Sequence, residues 1–196
     1  MKKIFVLCLC LIGLFSLSLT ANAEFKREPV AFIVMDNTGE VTDSIFDDWK
    51  RQVKQAYRYP DYEFVDSLEP AHIAGEILAQ EGQSTSKLGV ATLRKIAEET
   101  QTKVVALVVV HRMEEIQLQM MGFGGFFGHW DDGPSDLVRV FAYADMYIYK
   151  ADGDKMVKKI VRSVETDESP VVTPAVTVLK WDLRNLANKM ENREQI

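Results

Sequence analysis

Apolar and polar residues follow two rhythms along this chain, one of period two and one of three to four, and the changes between them outline its elements. Pro29 to Met35 is a short run rich in Val and Ile that ends at Asp36-Asn37-Thr38-Gly39, the composition of a buried strand followed by a turn. A helix is expected from about Asp43, capped by Thr42 or Asp43, because Phe46, Trp49, Val53 and Ala56 recur at spacings of three and four. Tyr59-Pro60-Asp61 stops it. Tyr62 to Val65 then reads as a short strand and Pro70 to Gln80 as a short helix. Ser84-Thr85-Ser86 supplies cap candidates for a longer helix to about Thr100, with Leu93, Ile96, Ala97 and Thr100 on one side.

Lys103 to Val110 is the strongest strand in the chain, an unbroken apolar series that wants both faces covered, as at the centre of a sheet flanked by helices. From Ile116 to Met120 the pattern becomes strict alternation, the mark of a half-exposed extension, and 121–135 reads as a loop. Leu137 to Lys150 resumes as a strand, with Val138, Val140, Ala142, Ala144, Met146 and Ile148 on one face and Arg139, Tyr143, Asp145 and Tyr147 on the other. Asp152-Gly153 turns the chain into a last strand through about Thr166. Thr173 and Pro174 open a final helix whose Val176, Leu179, Leu183, Leu186 and Met190 form a clean apolar stripe. That stripe packs on the sheet or, since heptad spacing also suits a coiled coil, joins two protomers through 176–190. The economical fold is a single α/β (α+β) domain over 24–190 with a mixed sheet, in the order β-α-β-α-α-β-β-β-α, followed by a frayed tail at 191–196.

Composition changes the picture mainly at the amino terminus. Met1-Lys2-Lys3, an apolar run from Ile4 to Leu19, and Ala21-Asn22-Ala23 are the basic, apolar and small-residue parts of a secretory signal peptide. The mature chain is expected to begin near Glu24, in the periplasm or outside the cell. A retained membrane anchor is the rival reading, disfavoured by the shortness of the run. Both cysteines, Cys8 and Cys10, lie within residues 1–23, so cleavage after Ala23 removes thiol catalysis, thiolate metal binding and disulfides together. Leu9 stands before Cys10, where a lipoprotein signal wants a small residue. The signal carries two lysines and no acid, so its loss makes the formal net charge of −6 more negative by two. Nucleic acid is therefore not an expected partner, because phosphate contacts need clustered Lys and Arg. Lys155, Lys158, Lys159 and Arg162 form a local basic group that reads as a solvated strand face.

Val30-Ala31-Phe32-Ile33-Val34, the Lys103–Val110 strand after an Ala-rich helix, and the Tyr147–Arg162 hairpin around Ala-Asp-Gly-Asp together resemble the periplasmic domains of the CsgG-type curli-secretion and TolB amino-terminal families. The resemblance is topological and spans most of the mature chain. It implies an assembly or binding module rather than an enzyme. The lipidated cysteine of CsgG-type proteins has no counterpart in the mature chain.

The oddest mature segment is Met121 to Pro134, where Phe123, Phe126, Phe127 and Trp130 alternate with glycines that deny the backbone regular structure. The aromatics either fold over the domain's own core or meet an envelope protein or a membrane surface. His129, Asp131 and Asp132 carry donors suited to a metal ion and define the alternative, a secreted metal-assisted hydrolase with Asp36 nearby. No cofactor is expected on the leading reading. Asp36-Asn37-Thr38-Gly39-Glu40 resembles the start of the metal-dependent adhesion site of von Willebrand A domains, although a turn leading into a helix explains the same residues. Asp152-Gly153-Asp154 lacks the remainder of a calcium loop and reads as a hairpin turn. His72 and His111 have no partner nearby in sequence and read as surface or hydrogen-bonded core histidines.

Overall fold

A computed structural model describes residues 26–39, 43–65, 68–82, 84–118, 137–168 and 171–190. Among them are β1 (Glu28–Asp36), α1 (Asp43–Ala56), β2 (Tyr62–Phe64), α2 (Leu68–Glu81), a 3-10 turn (Thr85–Lys87), α3 (Val90–Glu99), β3 (Val104–Leu118), β4 (Leu137–Lys150), β5 (Lys155–Glu168) and α4 (Ala175–Met190). The expected element order and class are those found. The five strands form one mixed sheet in the order β2-β1-β3-β4-β5. β1 runs parallel to both β2 and β3, whereas β3, β4 and β5 form an antiparallel meander.

This order explains where the helices lie. The chain steps from β1 to β2 through α1, then returns past β1 to β3 through α2 and α3. Right-handed crossovers made in opposite lateral directions land on opposite faces of a sheet. One core accordingly joins Val30, Phe32, Val104, Ala106, Val108 and Val110 to Ile45, Trp49 and Val53 of α1 and to Val178, Leu179 and Leu183 of α4. The other joins Ile33, Val105, Leu107 and Val109 to Ala74, Ile77 and Leu78 of α2 and Leu93, Ile96 and Ala97 of α3. β3 is thus sandwiched, as its unbroken apolar run predicts. Trp49 adds a polar tie, donating from Nε1 to the Ala106 carbonyl at 3.1 Å.

Two local expectations need correction. Helix α3 begins later than the Ser84-Thr85-Ser86 caps imply: those residues enter a 3-10 turn, and Gly89 takes the N-cap position with no side-chain bond. The helix does end at Thr100, whose hydroxyl donates to the Ile96 carbonyl at 2.7 Å. The half-exposed extension expected at Ile116 is found as the far end of β3, which continues to Leu118 with its register shifted at His111. The basic group at 155–162 is divided by the two-residue period of β5, which sends Lys158 and Arg162 to one face and Lys155 and Lys159 to the other.

The stripe on α4 is consumed inside the chain. Leu179 and Leu183 are fully buried and Val176 and Leu186 pack against the same core, so the sheet takes the face that a coiled-coil seam would need. Replacing Leu179 with Ala should cost about 2–5 kcal/mol through the cavity left behind. Trp181→Ala, on the half-exposed side of the helix, should cost only about 0.5 kcal/mol. Urea unfolding at two protein concentrations checks both, and an unfolding midpoint for Leu179→Ala that rises with concentration would contradict the intramolecular packing.

Candidate functional site

β1 ends at Asp36, opposite Val110 of the parallel strand β3, at the point where the winding of the sheet reverses, the place at which open α/β sheets form a crevice. Asp36 closes the turn after β1, its Oδ1 accepting from the Thr38 amide and the Thr38 hydroxyl, both at 2.7 Å. Gly39 follows at φ +75°, a conformation that glycine adopts without strain. This is the turn reading of the segment rather than an open ligand set. Asn37 is thereby aimed along the ends of the strands. Its Nδ2 donates to Thr85 Oγ1 at 2.6 Å and stands 3.2 Å from His111 Nδ1.

An amide nitrogen only donates, so this contact assigns His111 the tautomer that accepts at Nδ1 and carries its hydrogen on Nε2. Nε2 lies 3.3 Å from Asp145 Oδ2 on β4. The same oxygen accepts from Lys158 Nζ on β5 at 2.7 Å and from the Tyr147 hydroxyl at 3.2 Å. Lys158 also lies 4.9 Å from the centre of the Tyr147 ring. One polar chain therefore runs from the 3-10 turn through the end of β1 and across β3 and β4 to β5. His111 can join it because the register shift at that position frees its side chain from ordinary cross-strand pairing.

Burial works against the charge of Asp145, but the hydrogen bond and charge of Lys158, with the hydrogen bond from His111, outweigh it and hold the carboxyl below its usual range. Burial likewise works against the charge of Lys158, and its bonds to Asp145 and Tyr147 raise its pKa above the ordinary value. Tyr147 is raised chiefly by burial. Both nitrogens of His111 are occupied and three donors converge on one oxygen of Asp145, so the cluster fastens strand ends together.

Beyond this cluster the sheet loses one of its covers. On the α2/α3 side the apolar layer stops at Val109 and Tyr147, whereas on the α1/α4 side it continues to Met113, Ala142, Val140 and Val138. The register sets Arg112 opposite Tyr143, Glu114 opposite Phe141, Phe141 opposite Val164 and Tyr143 opposite Arg162 on the uncovered side. Arg112 lies over the Phe141 ring at 3.8 Å, flanks Tyr143 at 5.8 Å and pairs with Glu114. Ile160 and Val164 on β5 stay 52% and 51% exposed, which is unusual for large aliphatic residues and marks a face without a lid among the described residues. A hollow of about 360 Å³ at the near end of this face is lined by His111, Tyr143, Asp145, Lys158 and Arg162.

The opposite end of the meander is fastened differently. Arg94 of α3 grips both oxygens of Asp154, and Tyr149 donates to Asp154 Oδ1 at 2.9 Å, tying the β4–β5 turn to the helix. Arg94 holds the Asp154 carboxyl below its usual range, and the bond from Asp154 raises Arg94 in turn. The turn itself is the predicted hairpin, with Gly153 at φ +90°.

The Gly-aromatic segment with Phe123, Phe126, Phe127 and Trp130, and the candidate ligands His129, Asp131 and Asp132, lie outside the described residues, as do residues 1–25 and 191–196. Among the described residues no three His, Cys, Asp or Glu side chains gather as a metal site, and no helix is long and apolar enough to cross a membrane. His72 lies on the surface beside Glu76, one helical turn away. His111 is the hydrogen-bonded histidine that the sequence suggests, but its partners come from positions 37 and 145, and no local signal marks them.

No family model matches the chain, and no curated protein matches it in sequence. It superposes on solved structures at a distance. A lipoprotein from Neisseria meningitidis matches at TM-score 0.43 and 10% identity, over 84% of this chain and 99% of the other. The PelC dodecamer from Paraburkholderia phytofirmans matches at TM-score 0.41 and 9% identity, over 82% and 84% of the two chains. The LpoB carboxyl-terminal domain from Salmonella enterica matches at TM-score 0.31 and 10% identity, over 76% and 92%. These likenesses lend no residue's role to this chain, and they are not to the CsgG-type or TolB families.

The polar chain yields a pH prediction. A carboxyl held below its unfolded value stabilises the fold above that value, and the contribution is lost as pH falls through the lower, folded value. The raised Lys158 contributes below the unfolded lysine value and loses its contribution as pH rises through the folded one. Lys158→Met should therefore cost about 1–3 kcal/mol near neutral pH and less once pH falls below the ordinary carboxylate range. Denaturant unfolding from pH 2 to 8 checks this, and a cost independent of pH would contradict the role given to the pair.

Proposed function

We propose that this chain is an exported, non-enzymatic binding or assembly module of the bacterial envelope, which meets a protein partner through the uncovered face of β3, β4 and β5. The observation that carries this reading is the unequal cover of the sheet. One face stays packed under α1 and α4 as far as Met113, Val140 and Val138, while among the described residues the other is left open beyond His111 and Asp145 with Phe141, Tyr143, Arg112, Ile160 and Val164 on it. Aromatic residues and arginine are the residue types that carry most energy at protein contacts. In sequence, Phe123, Phe126, Phe127 and Trp130 fall in the connection between β3 and β4, and we assign them to the same contact surface. The signal-like segment at 1–23 supports an address in the periplasm or outside the cell.

A photo-crosslinking residue placed at Phe141 in the native host should give a discrete adduct with another envelope protein. Replacing Phe126, Phe127 and Trp130 together with Ser should lower its yield about tenfold and leave the thermal unfolding midpoint unchanged. The same adduct formed with equal yield from Arg51, exposed on α1 over the covered side, would overturn the assignment of the face.

A further inference from the structure

β5 is the last strand of the sheet, paired to β4 from Lys155 through Glu168 on one side, and no described segment pairs with its other side. The opposite edge is only the three residues of β2. Long free edges invite another strand, and proteins often blunt them with charge. The charge on β5 is of an unusual kind. Its first half carries Lys155, Lys158, Lys159 and Arg162, and its second half carries Glu165, Asp167 and Glu168. A run of one sign would repel a second copy in either orientation. A strand basic at one end and acidic at the other repels a parallel copy and attracts an antiparallel one.

We propose that two copies of this chain pair β5 to β5, antiparallel, across a two-fold axis. An axis perpendicular to the sheet keeps each side chain on its own face, so in every allowed register some residue lies opposite itself. Centring on Arg162 places Lys159 opposite the partner's Glu165 but sets two guanidinium groups against each other. Centring on Val161 leaves Lys155 opposite the partner's Asp167 and no other direct ion pair. Centring on Ser163 places Lys158 opposite Glu168 of the partner subunit and Lys159 opposite the partner's Asp167, and the symmetry repeats both. The Ser163 register is the one the charges select. It joins the two meanders into one continuous sheet and sets their uncovered faces side by side, doubling the contact surface offered to a partner. The dimer does not rest on that surface's proposed role.

Lys159 and Asp167 are exposed and lie outside the Asp145 cluster, which makes them the residues to test. Sedimentation equilibrium of the exported, purified protein at low salt should show a dimer that weakens in 1 M salt. Lys159→Glu should weaken it about tenfold, because two opposite-sign pairs become like-sign pairs. Adding Asp167→Lys to the same chain should restore the wild-type value. Circular dichroism checks that each variant is folded. A protein that stays monomeric at low salt, or a dimer indifferent to the single exchange and not rescued by the double one, would overturn the proposal. Neither result touches the crosslinking test of the open face.

Discussion

The rest of the fold depends on burying β3 on both sides. Val104 to Val110 are all at or near zero exposure, and a strand apolar on both faces stabilises a protein only when a layer covers each. The order β2-β1-β3 meets that requirement by winding outward once in each direction, which delivers α1 to one face and α2 with α3 to the other. α4 then returns from the far end of the chain to extend the α1 layer over β4 and β5. Every element apart from the distal meander is placed by this one demand.

The demand ends at His111. There the register shifts, the second helical layer runs out, and the chain supplies a polar chain instead of an apolar roof. Asn37, His111, Asp145, Tyr147 and Lys158 knit four elements where hydrophobic cover stops. Beyond them the meander continues with one face packed and the other, among the described residues, free. Such a strand arrangement is stable because a single covered face suffices for an antiparallel sheet.

Much of this was legible in the residues. The Lys103–Val110 run announces a central strand, the alternation at 138–148 assigns both faces of β4, and the stripe at Leu179 and Leu183 places α4. These signals are local, and each repeats a period that the backbone imposes. The polar chain was not legible, because Asn37, His111 and Asp145 meet only after the sheet is assembled and each looks ordinary in its own neighbourhood. The cap at Ser84-Thr85-Ser86 misled for a related reason. Those hydroxyls suit a helix start, but Thr85 accepts from Asn37, within a 3-10 turn that contacts β3. The split of the basic group follows from the period of β5 once that strand is known, and it separates Lys158, which is structural, from Lys159, which is free to meet a partner.

The central claim is that the two halves of the meander are held by different physics: two-sided apolar burial before His111 and one-sided packing after it. Native-state hydrogen exchange measures this residue by residue, because amides that open only on global unfolding are distinguished from those released by local opening. The amides of Val105 to Val109 and of Met146 to Tyr149 should exchange only through global unfolding. Those of Glu114 to Leu118 and Val138 to Phe141 should exchange through smaller openings, several kcal/mol cheaper on the order of half the global value. Uniform protection along β3 and β4 would contradict the account.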